Sequence, residues 1–383
     1  MFDKIGMTDQ ELLYTMALTM ALRQQSKHQR TLLEAAGSAT AVYEERHEVG
    51  KMFEHFSPRM AEAVSSMESL LPRCEQELTY ARDHHIHILS WQDETAYPAR
   101  LRQCDDAPLI LYFLGKGNLN AEHVVSIVGT RRCTERGRDL CNQLAQTISE
   151  QVPGTLIISG LAYGIDVAAH RGALTHGLPT VGVLAHGMDE IYPRTHRQTA
   201  IEMLQQGGLV TEFMSATPID RLNFLQRNRI VAGLADAIVV VESPVRGGSL
   251  NTARLGMDYQ RDVFTFPGRP TDVTSEGCNL LIRNNGATLI NSPMDLLTDL
   301  GWSSKKNSAE ASQKRLFPDL TVEEQAIVDA LVKAEETGEI PTLTYLADVT
   351  GQLAFKVTST ILALEMKGLV KTLPGNRYHL INA

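Results

Sequence analysis

Short apolar runs alternate with amphipathic, helix-length segments between residues 124 and 300. The predicted strands are Val124–Val128, Thr155–Ile158, Thr180–Leu184, Leu209–Thr211, Ala237–Val241, Val263–Phe266 and Thr288–Ile290. The predicted helices between them are Glu135–Gln151, Asp166–His176, Thr195–Gln206, Pro218–Leu234, Ser249–Tyr259 and Gly277–Arg283. Strands that are apolar throughout are typical of parallel sheets covered on both faces. The pattern therefore predicts an α/β fold with a doubly wound, mostly parallel sheet.

The first 84 residues predict helices instead. Leucines and methionines between residues 12 and 22 form a broad apolar face, and Gly37 suits a helix C-cap. The segment resembles a small helical domain of the SAM or helix-hairpin-helix type, but it is acidic, which favours a packing surface or a protein contact over a DNA clamp. A helix over Leu70–Asp83 precedes two strands, Ile86–Leu89 and Leu109–Leu114, which lead into the sheet.

The end of the chain predicts a separate small domain at 319–383, after a polar linker at 301–318. Thr321 and Glu324 have the spacing of a capping box. The predicted elements that follow are helices at Thr342–Val349 and Leu353–Lys367 and strands at Leu369–Leu373 and Arg377–Leu380, joined by Pro374-Gly375-Asn376. This order is typical of a winged helix. Its presumed recognition helix has few basic residues, which favours a protein contact or dimer support over duplex recognition.

Composition limits the compartment and the chemistry. With 383 residues, the chain has room for two or three domains, here 1–84, 85–300 and 319–383. No segment is apolar enough to span a membrane, and Leu12–Leu22 follows acidic residues, so it predicts an ordinary helix and no signal peptide. Five cysteines without a CxxC spacing indicate neither disulfides nor a zinc site, and a cytoplasmic protein is expected.

The net charge of −9 argues against a protein that coats nucleic acid by overall positive potential. All 15 basic residues between positions 121 and 300 are nevertheless arginines. A guanidinium group holds phosphate through two parallel hydrogen bonds and also stacks on bases. A local basic site therefore remains compatible with the acidic chain, although an arginine-rich composition would give the same count.

Glycine-containing joints between strands and helices predict where such a site lies, because ligands of doubly wound sheets bind beyond the carboxyl ends of the strands. The joints are Val128-Gly129-Thr130-Arg131, the segment 159–166 around Gly160, and the segment 242–252 with Gly248 and Ser249. Their backbone amides can face an anion. Neither GxGxxG nor a Walker motif occurs, so classical NAD binding and P-loop hydrolysis are poorly supported.

Further arginines lie in the loop after the third strand and at the start of a helix. Arg194 is in the loop, and Arg221, Phe224 and Arg229 are in the helix. Phe224 could stack on a base while the arginines contact phosphates. In the alternative, Phe224 is a core residue and one arginine makes an ion pair with Asp236 or Glu242.

Catalytic chemistry is not indicated. Asp166 and His170 could form an acid/base pair, but a helix cap and a packing histidine are favoured. No other catalytic group, metal ligand set or cofactor motif emerges, so the pattern favours holding phosphates over breaking bonds.

The motifs between residues 86 and 290 resemble the DNA-processing protein A (DprA/Smf) family of bacterial proteins. The matching segments are Tyr97-Pro98, Val128-Gly129-Thr130-Arg131, Ser159-Gly160-Leu161-Ala162, Gly164-Ile165-Asp166, Ala168-Ala169-His170, Tyr192-Pro193, Arg227-Asn228-Arg229-Ile230, Gly248-Ser249-Leu250, Pro267-Gly268 and Gly286-Ala287. This resemblance implies an extended Rossmann-like domain that binds single-stranded DNA, forms homodimers, helps to load a RecA-type recombinase in natural transformation and displaces single-strand-binding protein.

The resemblance also implies roles for single residues. Arg131 would be the central arginine of the pocket, Arg221 its basic partner and Phe224 the stacking aromatic. Backbone and hydroxyl contacts would come from Gly129, Thr130, Gly160, Gly248 and Ser249. The chain departs from the family pattern at Tyr163, His196, Leu225 and Gly247. A Rossmann-fold enzyme that binds or processes a nucleotide or nucleoside phosphate is the alternative.

Overall fold

The computed structural model describes residues 8–23, 25–52, 56–302, 320–337, 341–367, 369–373 and 377–380. They form two compact units, which divide at residue 303. Most of the linker predicted at 301–318 and the turn predicted at Pro374-Gly375-Asn376 lie outside the described residues.

The first unit is built on a nine-stranded sheet of the order β1-β2-β6-β5-β4-β3-β7-β8-β9. Its strands are β1 (His87–Ser90), β2 (Ile110–Gly115), β3 (Val124–Val128), β4 (Leu156–Ser159), β5 (Thr180–Val183), β6 (Gly208–Thr211), β7 (Ala237–Val240), β8 (Asp262–Thr265) and β9 (Thr288–Leu289). Strands β3 to β9 pair in parallel, whereas β2 runs antiparallel to both β1 and β6. The predicted mostly parallel, Rossmann-like sheet is confirmed.

Helices cover both faces of this sheet. They are α1 (Asp9–Ala21), α2 (Ser26–Ala36), α3 (Ala39–Glu44), α4 (Val49–Met52), α5 (Pro58–Ser65), α6 (Met67–Asp83), α7 (Ala99–Arg102), α8 (Glu135–Gln151), α9 (Ile165–Thr175), α10 (Arg197–Met203), α11 (Arg221–Gly233), α12 (Gly248–Asp258), α13 (Glu276–Arg283) and α14 (Pro293–Asp299). Residues of α8, α9 and α14 form the core on one face, and residues of α7, α11 and α12 form it on the other. Helix α8 has its predicted bounds because the Thr134 hydroxyl accepts a hydrogen bond from the Gly137 amide at 3.1 Å.

The N-terminal helices share a hydrophobic core with the edge of the sheet. Met16, Leu18 and Val64 pack in one buried cluster with Ile110 and Tyr112 of β2. The boundary predicted between residues 84 and 85 therefore separates helices from α/β structure inside one compact unit. Gly37 ends α2 in the left-handed conformation with φ of 80°, as its C-cap assignment required.

The second unit contains α15 (Val322–Thr337), α16 (Leu343–Thr350), α17 (Ala354–Met366) and a hairpin of β10 (Val370–Leu373) and β11 (Arg377–Leu380). The capping box is confirmed, because the Thr321 amide donates to the Glu324 carboxylate at 2.7 Å and the Glu324 amide donates to the Thr321 hydroxyl at 3.3 Å. The order of the elements is the predicted one, and their assignment as a winged helix remains a prediction.

Candidate functional site

A cleft of about 420 Å³ opens at the carboxyl ends of β3, β4 and β7. It brings together eight of the ten residues that the sequence predicted, which are Gly129, Thr130, Arg131, Gly160, Arg221, Phe224, Gly248 and Ser249. These residues come from three different strand-to-helix joints and from the start of α11. The topological rule for doubly wound sheets therefore located the cleft correctly.

The joint after β3 forms one wall. A Cβ atom at Gly129 would lie 2.5 Å from Ile165 Cγ1 and 2.7 Å from the Glu242 carbonyl oxygen, so only glycine fits between α9 and the end of β7. The Thr130 amide donates to that same carbonyl at 2.7 Å. These contacts fix the loop that presents Arg131 to the cleft.

Arg131 and Phe224 face each other across the cleft. The guanidinium carbon of Arg131 lies 5.3 Å from the centroid of the Phe224 ring, within the range of a cation–π contact. Phe224 is half-buried, so it is not a core residue, and its ring packs edge-on against Tyr192 at 5.8 Å. Arg221 is exposed at the first residue of α11 and makes no ion pair within the described part of the chain. This arrangement places two guanidinium groups, which can bind phosphates, beside an aromatic ring, on which a flat group can stack.

The N-terminus of α12 forms the opposite wall. Gly247 is the N-cap residue, and an added Cβ at Gly248 would meet open space. The buried Ser249 hydroxyl lies 2.8 Å from the Ser243 hydroxyl, which anchors the turn. No side chain caps this eleven-residue helix, so its first amides and the helix dipole make this end favourable for an anion.

Sequence reasoning missed a buried charged pair of residues at the base of the cleft. Arg227 is 4% exposed, and its Nη1 donates to the Val183 carbonyl at 3.0 Å. Burial lowers the pKa of Arg227 to about 10, and nearby Asp166 counteracts that shift. Burial likewise raises the pKa of Asp166, while Arg227 and the amides of Ala162 and Gly160 oppose the rise. The two opposite charges therefore stabilise each other at the base of the cleft.

The helical phase of α11 explains which arginines the cleft includes. Arg227 and Asn228, both lining residues, lie three and four positions after Phe224 and so share its face. Arg229 is five positions on, which rotates it about 140° away. The spacing from Phe224 was the signal that could have found Arg227.

Arg229 was wrongly predicted as a phosphate contact. Its buried guanidinium pairs with Glu212 at 2.5 Å and donates to the Asp106 carbonyl at 2.6 Å, so it is engaged inside the protein. A structural ion pair was the alternative, but its partner is neither Asp236 nor Glu242. Arg194 is exposed at the start of a short 3-10 helix and does not line the cleft.

His170 is a packing residue. It is fully buried on α9, and its Nδ1 lies 2.7 Å from the Thr180 hydroxyl. Burial lowers the pKa of His170 to about 3, which keeps the ring neutral. The predicted packing role of His170 is confirmed. The predicted helix cap at Asp166 is wrong, because Gly164 is the N-cap of α9 and no side chain caps this helix. The Asp166–His170 acid/base pair is not confirmed.

Two of the departures from the family pattern also line or support the cleft. Leu225 is a half-exposed lining residue. A Cβ at Gly247 would lie 2.2 Å from the Ser243 hydroxyl, so the Ser243–Ser249 contact leaves no room for a side chain there.

The described ranges contain neither a cluster of metal-ligating side chains nor a helix that could span a membrane. No group of three or more histidine, cysteine or carboxylate side chains there could hold a metal ion. None of the helices there is long and apolar enough to cross a membrane. All five cysteines are free.

A mostly parallel α/β sheet with guanidinium groups and backbone amides at the carboxyl ends of its strands defines a Rossmann-like protein with an arginine-lined cleft at the position where such sheets bind ligands. The DNA recombination-mediator protein A family model matches residues 87–301, more than half of the chain. The chain belongs to this family.

Relatives and solved structures agree with this assignment. The Smf protein of Escherichia coli K12 is 32% identical over 312 residues, which cover 81% of each chain. The DNA processing protein DprA of Streptococcus pneumoniae R6 is 34% identical over 206 residues, 54% of this chain and 72% of the relative. The X-ray structure of S. pneumoniae DprA aligns with a TM-score of 0.59 at 27% identity, over 77% of this chain and 98% of that one.

A second similar structure is of a protein described as binding single-stranded DNA. DNA processing protein A of Helicobacter pylori, described for its single-stranded DNA binding mode, aligns with a TM-score of 0.51 at 28% identity. The alignment covers 56% of this chain and 95% of that one.

Proposed function

We propose that this protein is a recombination mediator that binds single-stranded DNA in the cleft at the carboxyl ends of β3, β4 and β7. The observation that carries the proposal is the Arg131 guanidinium over the half-buried Phe224 ring, beside the N-terminus of α12, which no side chain caps. A base can stack on the aromatic face, and its phosphates can bind guanidinium groups and amides. Such contacts do not distinguish base identity, so binding is sequence-tolerant.

We propose binding without bond cleavage. Among the lining residues, the only carboxylate is Asp166, and one of its oxygens accepts a hydrogen bond from the Gly160 amide at 3.2 Å. The other ionisable lining groups are arginines, which stay protonated and stabilise phosphate charge without abstracting protons.

The wider role proposed is protection of incoming single strands and loading of a RecA-type recombinase in natural transformation, with displacement of single-strand-binding protein. The protein would act in the cytoplasm as a homodimer. Membership of a recombination-mediator family supports the mediator role. Helix α17 exposes Phe355, Leu362 and Met366, which lie along one stripe of the helix and favour a protein contact for the second unit.

The test of DNA binding is a titration of labelled oligo-dT and of duplex DNA of equal length at two salt concentrations. We expect tighter binding of the single strand, weakened by salt because bound phosphates release counterions. Arg131→Ala combined with Arg221→Ala should abolish oligo-dT binding and leave thermal unfolding unchanged. The control is Arg254→Ala combined with Arg283→Ala, which removes the same charge from exposed positions outside the cleft. Unchanged affinity of the cleft variant at low salt would contradict the assignment.

A thermal-shift assay distinguishes the other class of function. Stabilisation by mononucleotides, without preference for oligonucleotides, would favour an enzyme acting on a nucleotide or nucleoside phosphate. Deleting residues 319–383 tests the second unit: we expect oligo-dT binding to persist and recombinase loading to be reduced.

A further inference from the structure

A second groove lies beside the cleft, between helices α8 and α9; we call it the α8–α9 groove. Its floor is formed by small and apolar residues of α9, among them Ala168 and Gly172. A Cβ at Gly172 would lie 3.2 Å from the Cys141 carbonyl, so the glycine allows the two helices to approach closely. Arg138 of α8 and Arg171 of α9 are exposed and border the groove from opposite helices.

The groove is strongly positive for a protein of net charge −9. Four arginines line it, Arg131, Arg132, Arg138 and Arg171, against one carboxylate, Asp139. Within the described ranges, none of these arginines makes an ion pair. The Arg171 Nε donates to the Thr199 hydroxyl at 3.3 Å, a contact that positions the side chain without neutralising it. Their charge is available to an anionic ligand.

The α8–α9 groove is continuous with the cleft. Arg131 lines both, and the next residue, Arg132, lines only the groove. The two joints that form this boundary are in contact, because the Ile165 amide donates to the Thr130 carbonyl at 3.2 Å. Gly164 has φ of 79°, and a Cβ there would lie 2.1 Å from that same carbonyl, so glycine is required at this contact.

An exposed aromatic ring lies at the boundary. Tyr163 directly precedes Gly164, lines the groove and is 46% exposed. Its ring packs edge-to-face with His196 at a centroid distance of 5.0 Å. His196 is itself buried and fixed, with its Nδ1 2.8 Å from the Leu161 carbonyl. The contact restrains the tyrosine and leaves nearly half of its surface to a ligand.

We propose that the α8–α9 groove binds the continuation of the single strand that leaves the cleft, with a base stacked on Tyr163 and phosphates on Arg132, Arg138 and Arg171. This inference rests on the proposed function of the cleft. A flexible polyanion suits both observations, because it alternates phosphates with flat bases as the surface alternates guanidinium groups with an aromatic ring. An acidic peptide would use the arginines and leave Tyr163 without a role.

The test uses the full chain and an oligo-dT series of increasing length. Arg138→Ala combined with Arg171→Ala should leave the affinity for the shortest bound oligonucleotides unchanged and weaken the binding of longer ones. Each lost phosphate contact reduces the slope of log K against log salt by about 0.7, so the slope for long oligonucleotides should fall by about 1.4. The matched control is again Arg254→Ala with Arg283→Ala, for which neither quantity should change.

Tyr163 provides an independent readout. Tyr163→Ala should weaken the binding of long oligo-dT about tenfold and leave its salt slope unchanged, because stacking releases no counterions. Tyr163→Phe should retain wild-type affinity. A loss in the phenylalanine variant as large as in the alanine variant would overturn the stacking role.

Different results would overturn the inference about the α8–α9 groove and the proposed function of the cleft. If wild-type protein does not bind oligo-dT in a salt-dependent way, the proposed function fails. If wild-type protein binds but Arg138→Ala with Arg171→Ala changes neither affinity nor slope at any length, the groove inference alone is overturned. An equal loss at all lengths would also overturn it, since the arginines would then belong to the cleft site. The remaining outcome is that wild-type protein binds a labelled oligoglutamate peptide and Arg138→Ala with Arg171→Ala does not, while both bind oligo-dT equally. That result would overturn the inference and assign the groove to an acidic protein segment.

Discussion

A single methyl group added at Gly160 should destabilise the first unit by displacing a buried arginine. A Cβ at this position would lie 1.6 Å from Nη1 of Arg227 and 2.4 Å from its guanidinium carbon. Ordinary contact distances are about 3.5 Å or more, so in Gly160→Ala the guanidinium must move by roughly 2 Å. Its hydrogen bond to the Val183 carbonyl is 3.0 Å long and cannot survive that displacement.

The expected magnitude follows from this broken contact. A hydrogen bond of a charged group contributes about 1.5 to 3 kcal/mol. Replacing glycine by alanine also restricts the unfolded chain, which offsets about 0.5 to 1 kcal/mol. The net loss should therefore be about 0.5 to 2.5 kcal/mol. Gly248→Ala is the matched control in the same cleft, because its added Cβ meets open space, and it should not destabilise the protein.

Urea unfolding followed by tryptophan fluorescence is a suitable assay, since both tryptophans, Trp91 and Trp302, belong to the first unit. A double-mutant cycle with Arg227→Met isolates the clash: in the methionine background, Gly160→Ala should cost much less. Equal costs in both backgrounds, or a loss no larger than that of Gly248→Ala, would refute the reasoning.

Two further predictions concern pH and the N-terminal helices. Because burial lowers the pKa of His170 to about 3, the unfolded chain binds the additional proton, and stability should fall by about 2 kcal/mol between pH 7 and pH 5. Urea unfolding at both pH values measures this change in stability. His170→Asn should remove most of it, whereas the control His85→Asn, at an exposed position, should retain it. An equal change in the two variants would contradict the prediction. The Glu11 carboxylate accepts hydrogen bonds from the amide and hydroxyl of Thr40 at 2.9 and 2.7 Å, so Glu11→Gln should cost about 1 to 2 kcal/mol at pH 7. Burial acts to raise the pKa of Glu11, but hydrogen bonds from Thr40, Ala39 and Gln92 outweigh it and hold the pKa below its usual value. The stability difference between wild type and Glu11→Gln should therefore shrink as the pH falls below about 4, and a difference independent of pH would contradict the assignment.

The sheet was predictable because its central strands are buried and mostly apolar and its joints contain glycine. Val124–Val128 and Glu135–Gln151 have their predicted bounds, since a buried strand and a Thr134 cap are local signals. The helix predicted over Thr195–Gln206 instead divides into a 3-10 turn at Arg194–His196 and a shorter α-helix. Chain order and the carboxyl-end rule were then sufficient to place Gly129, Gly160 and Gly248 in one cleft, whereas side-chain direction was not predicted.

Side-chain direction depends on how each helix rotates on the sheet, and this rotation is a tertiary property. Arg227 and Arg229 are chemically identical and two residues apart, yet one lies beneath the cleft and the other pairs with Glu212. No local pattern names Glu212, which follows β6. The α8–α9 groove was missed for a similar reason: Arg138 and Arg171 are 33 positions apart and come together only when two helices pack across Gly172.

The packing of the N-terminal helices on β2 has a consequence for how the protein can be divided. Ile110 and Tyr112 are almost inaccessible to solvent because α1 and its neighbours cover them. A chain shortened to begin at residue 85 would expose this apolar face of β2 to water and to other copies. Removing the leading segment would therefore produce aggregation-prone material, and any loss of DNA affinity in it would say nothing about whether these helices touch the strand.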